Sequence, residues 1–347
     1  MISGGFFLKT IFIKKNIVYY AWTGLLILNI LGFVFTGNIS DELHINMLKN
    51  TLFLSLAFYP YYFLAYENQI TSDDLILFLK LILPVFILSY FNNASMYMEN
   101  TGRDENQVVN NASYFFCTLL PFVFLVKKKK YAWLFIFILF FFIISGSKRG
   151  ALLVGAVGYL GYMRFYLKDN RGLFVKIVFV SIVMVSVFIL IQSQDFLNDR
   201  LHQMSTGDSS GRDAIFLSIV RGWHNGSFFN LLFGFGFAQS VLLTGGNYAH
   251  NDWLELLSNF GLLGISVYLF LFYSFLKFSY NQKYDNYKTL FMTITMMWFL
   301  GTCVNMVYIS SPWFPVAMLI GYLTGINGCT KNPKKRGFKI LPNNRRL

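Results

Sequence analysis

The chain has 347 residues, of which 55% are hydrophobic, 19% aromatic and only 13% charged. Soluble domains carry about 25% charged residues, so this composition excludes an ordinary water-soluble globular protein. The formal net charge of +13 suits a membrane protein whose Lys and Arg gather in cytoplasmic loops, and it calls for no nucleic-acid partner.

Apolar runs close to the 20 or so residues needed to cross a hydrocarbon core recur along the whole chain. The expected fold is an all-α polytopic membrane protein with about ten spans, forming a single integral domain over 1–347. Residues 1–16, with Lys9, Lys14 and Lys15, form a basic interfacial lead-in with no small-residue cleavage site. The first span is expected at 17–36, followed by a polar loop, Gly37 to Asn50, holding Asp41, Glu42 and His44. A second span at 51–66 carries Pro60, and a third at 75–91 carries Lys80 and Pro84. After an Asn-rich loop at 92–111, the fourth span (112–126) ends in Lys127-Lys128-Lys129-Lys130. Four consecutive lysines are the strongest orientation signal in the chain and mark a cytoplasmic turn.

The fifth span (131–145) reaches Ser145-Gly146-Ser147-Lys148-Arg149-Gly150, and the sixth (150–166) follows, with Ala151, Gly155 and Gly158 forming a smooth face for helix packing. A seventh span is expected at 173–192. The long non-apolar stretch 193–249 then lies in a region with no lysine from Ile177 to Leu276, which places it outside. Within it, Ile215, Phe216, Ile219 and Val220 recur at helical spacing, and Phe228 to Phe237 is interrupted by Gly234 and Gly236. Short amphipathic helices along the membrane surface are expected there. The eighth span rises from Trp253 to Phe278, and the ninth (289–308) and tenth (313–327) are joined at Ser310-Ser311-Pro312. The basic tail returns the chain to the cytoplasm, so both termini lie inside.

The residues able to carry chemistry cluster on the outer side. Tyr248-Ala249-His250-Asn251-Asp252-Trp253-Leu254-Glu255 sets a histidine, an amide and two carboxylates where a polar loop becomes an apolar helix. Histidine ordinarily titrates near 6.5 and suits proton transfer at neutral pH, so His250 is the candidate base, with Asn251 and Glu255 in support. Outward arginines without lysines suggest an anion gripped in plane, because the guanidinium fork bonds two phosphate oxygens at once. Arg149, Arg212 and, secondarily, Arg221 are the candidates; the alternative for Arg221 and His224 is a solvated helix face. Asp41 and Glu42 form a weaker alternative acid/base pair. No HExxH, P-loop, GxSxG or Asp-x-Asp pair is present. The three cysteines form no CxxC, so neither a metal nor a cofactor is expected.

Three stretches together resemble the O-antigen polymerase/ligase superfamily of bacterial membrane glycosyltransferases. They are Ser145 to Leu153 (with Lys148 inserted before the arginine), Ser210-Gly211-Arg212 with Leu232-Phe233-Gly234-Phe235-Gly236, and Ala249 to Leu257 with Gly261-Leu262-Leu263-Gly264. The resemblance covers about 130–275. It implies a GT-C-like membrane enzyme of the bacterial inner membrane that uses undecaprenyl-pyrophosphate-linked glycans, with its active face periplasmic. By it, Arg149 and Arg212 would hold the pyrophosphate and His250 would be the base, while a chain-length regulator and a flippase would be partners. A repeat-unit polymerase is the favoured reading, ahead of a ligase acting on lipid A-core and of a transporter or flippase.

Overall fold

The computed structural model describes residues 2–101, 110–167 and 212–328, and these are helical apart from turns and connecting segments. Three of the described helices contain stretches long and apolar enough to cross a bilayer: Ile17–Thr36, Ser72–Met96 and Asp252–Tyr280. Shorter apolar helices cover Ser113–Leu125 and Ser311–Ile326. They mark the chain as an integral membrane protein. The expected seventh span, the first part of the outer loop and the basic tail lie outside the described residues.

By packing, the described residues form two compact units, one of residues 2–71 with 212–328 and the other of 72–101 with 110–167. The first begins with α1 (Ile2–Thr10) and α2 (Ile17–Thr36), the latter capped by Asn16, whose Oδ1 accepts the Tyr19 N–H at 3.0 Å. The stretch expected as a polar loop before the second span is instead largely helix: α3 covers Glu42–Leu56 and α4 covers Phe58–Tyr66. Asp41 is the reason for the early start, since its carboxylate accepts the Leu43 N–H at 2.9 Å. The interruption at Ala57 follows from Pro60, whose ring would meet the carbonyl four residues before it.

The same unit continues with α9 (Arg212–His224), α10 (Phe228–Phe233), α11 (Ser240–Leu243), α12 (Asp252–Tyr280), α13 (Asp285–Val304) and α14 (Phe314–Gly328). Its centre is aromatic. Trp22 lies 5.5 Å from Trp298 and Trp298 lies 5.6 Å from Trp313, centroid to centroid, and the Trp22 indole donates to Ser55 O at 2.9 Å. Against α4, α14 packs backbone to backbone. A Cβ at Gly321 would stand 2.3 Å from Phe58 O, and one at Gly325 would stand 2.4 Å from Tyr62 O, so both positions require glycine.

The second unit holds α5 (Ser72–Thr101), α6 (Ser113–Leu119, continuing as a 3₁₀ segment Leu120–Leu125), α7 (Lys129–Ser145) and α8 (Arg149–Leu167). Helix α5 runs through Pro84 and continues ten residues beyond the expected end at 91. The small-residue face anticipated on α8 is used at Gly155, where a Cβ would lie 3.1 Å from Ile143 and 3.8 Å from Cys117. The buried Cys117 thiol donates to Ala151 O at 3.2 Å.

Candidate active site

His250 is exposed and has φ 50, in the left-handed region. Such a conformation costs a non-glycine residue on the order of 1 kcal/mol and persists only where neighbours hold it. They do so on both sides. The N–H of Ala249, immediately before it, donates to Glu255 Oε1 at 2.7 Å. Immediately after it, Asn251 caps α12: its Oδ1 accepts the N–H groups of Trp253 (2.9 Å) and Leu254 (3.2 Å), and its Nδ2 donates to Cys303 O at 3.1 Å.

Asp252, the first residue of α12, is fully buried and spends both oxygens on one neighbouring segment and one ring. Oδ1 accepts the Val307 N–H at 2.6 Å; Oδ2 accepts the Tyr308 N–H at 3.2 Å and the Tyr268 hydroxyl at 2.5 Å. Trp253 adds an indole bond to Thr302 Oγ1 at 3.1 Å. Arg212 reaches the same place from another helix, its Nη1 donating to Val304 O at 3.3 Å. Carbonyls at a helix C-terminus lack intrahelical donors and attract cations, so the end of α13 at Cys303 and Val304 is a natural seat for Asn251 and Arg212. The segment 302–308 thus brings Arg212 and the His250 junction to one anchor.

Glu255 is likewise buried, with its second oxygen lacking a hydrogen bond of good geometry although Ser240 and Asn259 lie beside the carboxyl. Asn259 ties the layer together: its Oδ1 accepts the Ser240 N–H at 3.2 Å and its Nδ2 donates to the Tyr308 hydroxyl at 3.4 Å. Burial, then the carboxylates of Glu255 and Asp41, push the Tyr248 phenol above its ordinary value of 10.0. Asp41, considered as an acid/base candidate, serves as the α3 cap and lies 3.7 Å from His44.

Helix α12 breaks at Gly261 (φ 59, ψ −149). The break withdraws the donors that Ser258 O and Asn259 O would otherwise have, and Phe235 N–H (2.8 Å) and Gly236 N–H (3.2 Å) replace them. Only glycine fits where the two backbones meet. A Cβ on Gly234 (φ 77) would lie 2.4 Å from Asn259 C, and one on Gly261 would lie 2.6 Å from Gly234 N. The Leu-Phe-Gly-Phe-Gly turn and the glycine after Asn259-Phe260, separate in sequence, are two sides of one contact.

Arg221 stands exposed on α9, nine residues or about 13 Å along the axis from Arg212; His224 is also exposed. Arg149 belongs to the other unit, where it opens α8 partly exposed. Its hairpin is held by Asn110, whose backbone N–H donates to Gly146 O at 2.9 Å and whose Nδ2 donates to Tyr90 O at 2.8 Å. Ser147 takes φ 49 there, and a Cβ on Gly146 would lie 2.6 Å from Ser113 Oγ. Sequence reading names Asp252 only as one of two carboxylates in the junction, gives it no role, and leaves out Tyr268 and the 302–308 segment. An acid in a helix's first turn is ordinary dipole chemistry, so nothing local flagged Asp252 as buried.

Among the described residues no three His, Cys, Asp or Glu side chains are grouped to share a metal ion. No curated protein matches the chain. A family model described as O-antigen ligase matches residues 133–269, a region that takes in most of α7, all of α8 to α11, the His250 junction and the Gly261 break. Over that stretch the chain is similar to the O-antigen ligase family, which supports a likeness to the O-antigen ligase/polymerase superfamily.

Proposed function

We propose that the protein is a polysaccharide polymerase that joins undecaprenyl-pyrophosphate-linked oligosaccharide repeat units at the periplasmic face of the inner membrane. One observation carries the reading: within the matched region an exposed histidine is held in a left-handed turn by the Ala249–Glu255 bond and the Asn251 cap, and the Arg212 guanidinium bonds the same segment as Asn251. In the proposed step a sugar hydroxyl of one repeat unit attacks the anomeric carbon of another. Its proton passes to the His250 imidazole, the new glycosidic C–O bond forms with inversion, and the bond to undecaprenyl pyrophosphate breaks. The leaving diphosphate takes the electron pair, and arginine N–H groups offset its growing charge. Arg212 has four N–H donors besides the one on Val304 O. Arg149 and, secondarily, Arg221 are the other arginines proposed to bind phosphate, while Glu255 and Asn251 orient the base. About ten spans, both termini in the cytoplasm, and a flippase and chain-length regulator as partners complete the proposal.

The second reading is a ligase passing the glycan to lipid A-core, favoured by the description of the matching family model. The surface-glycan profile of a strain lacking the gene tests both. Core bearing one repeat unit with the ladder gone indicates the polymerase; bare core with lipid-linked polymer accumulating indicates the ligase; an unchanged ladder refutes both for that glycan. Restoring His250→Ala protein, inserted at normal levels, should leave the defect in place. Full rescue by that variant would exclude the acid/base role and turn attention to transport.

A further inference from the structure

The outer loop carries an apolar surface with no role in the proposed chemistry. On α10, Phe228 is 70% exposed, Phe229 71% and Phe233 53%, and Leu242 on the neighbouring α11 is 71% exposed. We propose that these rings lie among the acyl chains of the bilayer, and that the hydrocarbon boundary on the His250 side runs at the level of Gly261.

Two spans locate that boundary independently. Helix α2 has 20 residues, about 30 Å at 1.5 Å per residue, which matches one hydrocarbon core. Its last residue, Thr36, accepts the Phe237 N–H at 2.7 Å, and a Cβ on Gly236 would stand 2.7 Å from Thr36 Cβ. One turn earlier, Gly32 lies against the Phe260 ring. The end of α2 is therefore level with residues 236–237 and 260.

Helix α12 gives the same level from the other direction. Its 29 residues would run about 43 Å, well beyond the core, whereas the part after the Gly261 break (262–280) is about 28 Å long and spans it alone. The segment 252–260 is then the part that stands outside, consistent with its buried Asp252, Glu255, Ser258 and Asn259. Helix α10 meets α12 at this break, since a Cβ on Gly261 would lie 2.6 Å from Leu231 O and 2.7 Å from Leu232 C. Leu262 (44% exposed) and Leu263 (43%) follow Gly261 directly, so the phenyl rings adjoin the apolar exposed surface of the span. Aromatic side chains are favoured at this depth. Because α12 breaks at Gly261, residues 252–260 need not follow the direction of the span, and their length of about 14 Å is the most by which the first residue of α12 stands outside the hydrocarbon.

The test uses the full-length protein in lipid nanodiscs, with Cys303 and Cys329 replaced by serine and the buried Cys117 retained. Phe229→Cys, Phe233→Cys and, as an aqueous reference, the exposed Asn247→Cys each receive a nitroxide. Collision rates with oxygen, which concentrates in hydrocarbon, and with a water-soluble nickel chelate are then compared. Oxygen should dominate at 229 and 233, and nickel at 247. Nickel dominating at 229 and 233 would overturn the proposal, placing α10 in water. Low collision with both reagents there would also overturn it, because a protein surface would be covering the rings. The readout needs no glycosyl transfer, so it stands or falls apart from the proposed reaction.

Discussion

Two helices in this protein start from nearly the same backbone and end up with opposite electrostatics. At α8 and at α12 a non-glycine residue two positions before the first helical one takes a left-handed φ, 49 at Ser147 and 50 at His250. The α12 start is satisfied from within: Asn251 caps it, and Asp252 and Glu255 in its first turn oppose the positive end of the dipole. The α8 start has no acid in its first turn and begins with Arg149 after Lys148. Bases at a helix N-terminus add to its positive field instead of cancelling it. The same left-handed turn therefore precedes an acidic first turn in one case and a basic one in the other, the two settings to which the proposed function assigns a base and an anion ligand.

Breaking the α12 side should have the larger effects. His250→Ala removes the proposed general base and should lower the transfer rate about 10²–10⁴-fold, measured as product per time from purified protein and lipid-linked repeat units. His250→Gly sharpens the point: it also relieves the left-handed strain, so activity should fall while the midpoint of thermal unfolding does not. Asp252→Ala leaves two buried N–H groups and the Tyr268 hydroxyl without their acceptor, a loss of about 2–4 kcal/mol. A lower unfolding temperature in detergent would report it, and an unchanged one would refute the anchoring role of this carboxylate.

On the α8 side, Arg149→Lys keeps the charge and loses the planar fork. About a tenfold weaker interaction with the lipid-linked donor is expected, seen as a raised KM; unchanged kinetics would argue against a two-point grip on phosphate. Asn251→Ala should cost about 1 kcal/mol of stability through the lost cap. Ser147→Gly is the smallest effect, a gain of up to about 1 kcal/mol from relieved strain, with the reaction unaffected.

Much of this was legible before any coordinates. Composition and run length determine a helical membrane protein, because only helices or closed barrels satisfy a backbone inside lipid. The starts of α2 at Ile17 and of α12 beside Trp253 follow from local signals that act within one turn. Tertiary structure alone decided the rest. Asp252 reads as an ordinary first-turn acid until Val307 and Tyr308 arrive from more than 50 residues away to bond it. Gly234 and Gly261 read as two loose turn signals until their backbones meet, and Arg212 reads as an outward anion ligand with no partner in the chain until Val304 O accepts from it. The physical reason is common to all three. A residue's own type sets which bonds it can make, but burial and partner come from chain segments whose separation in sequence carries no record of their separation in space.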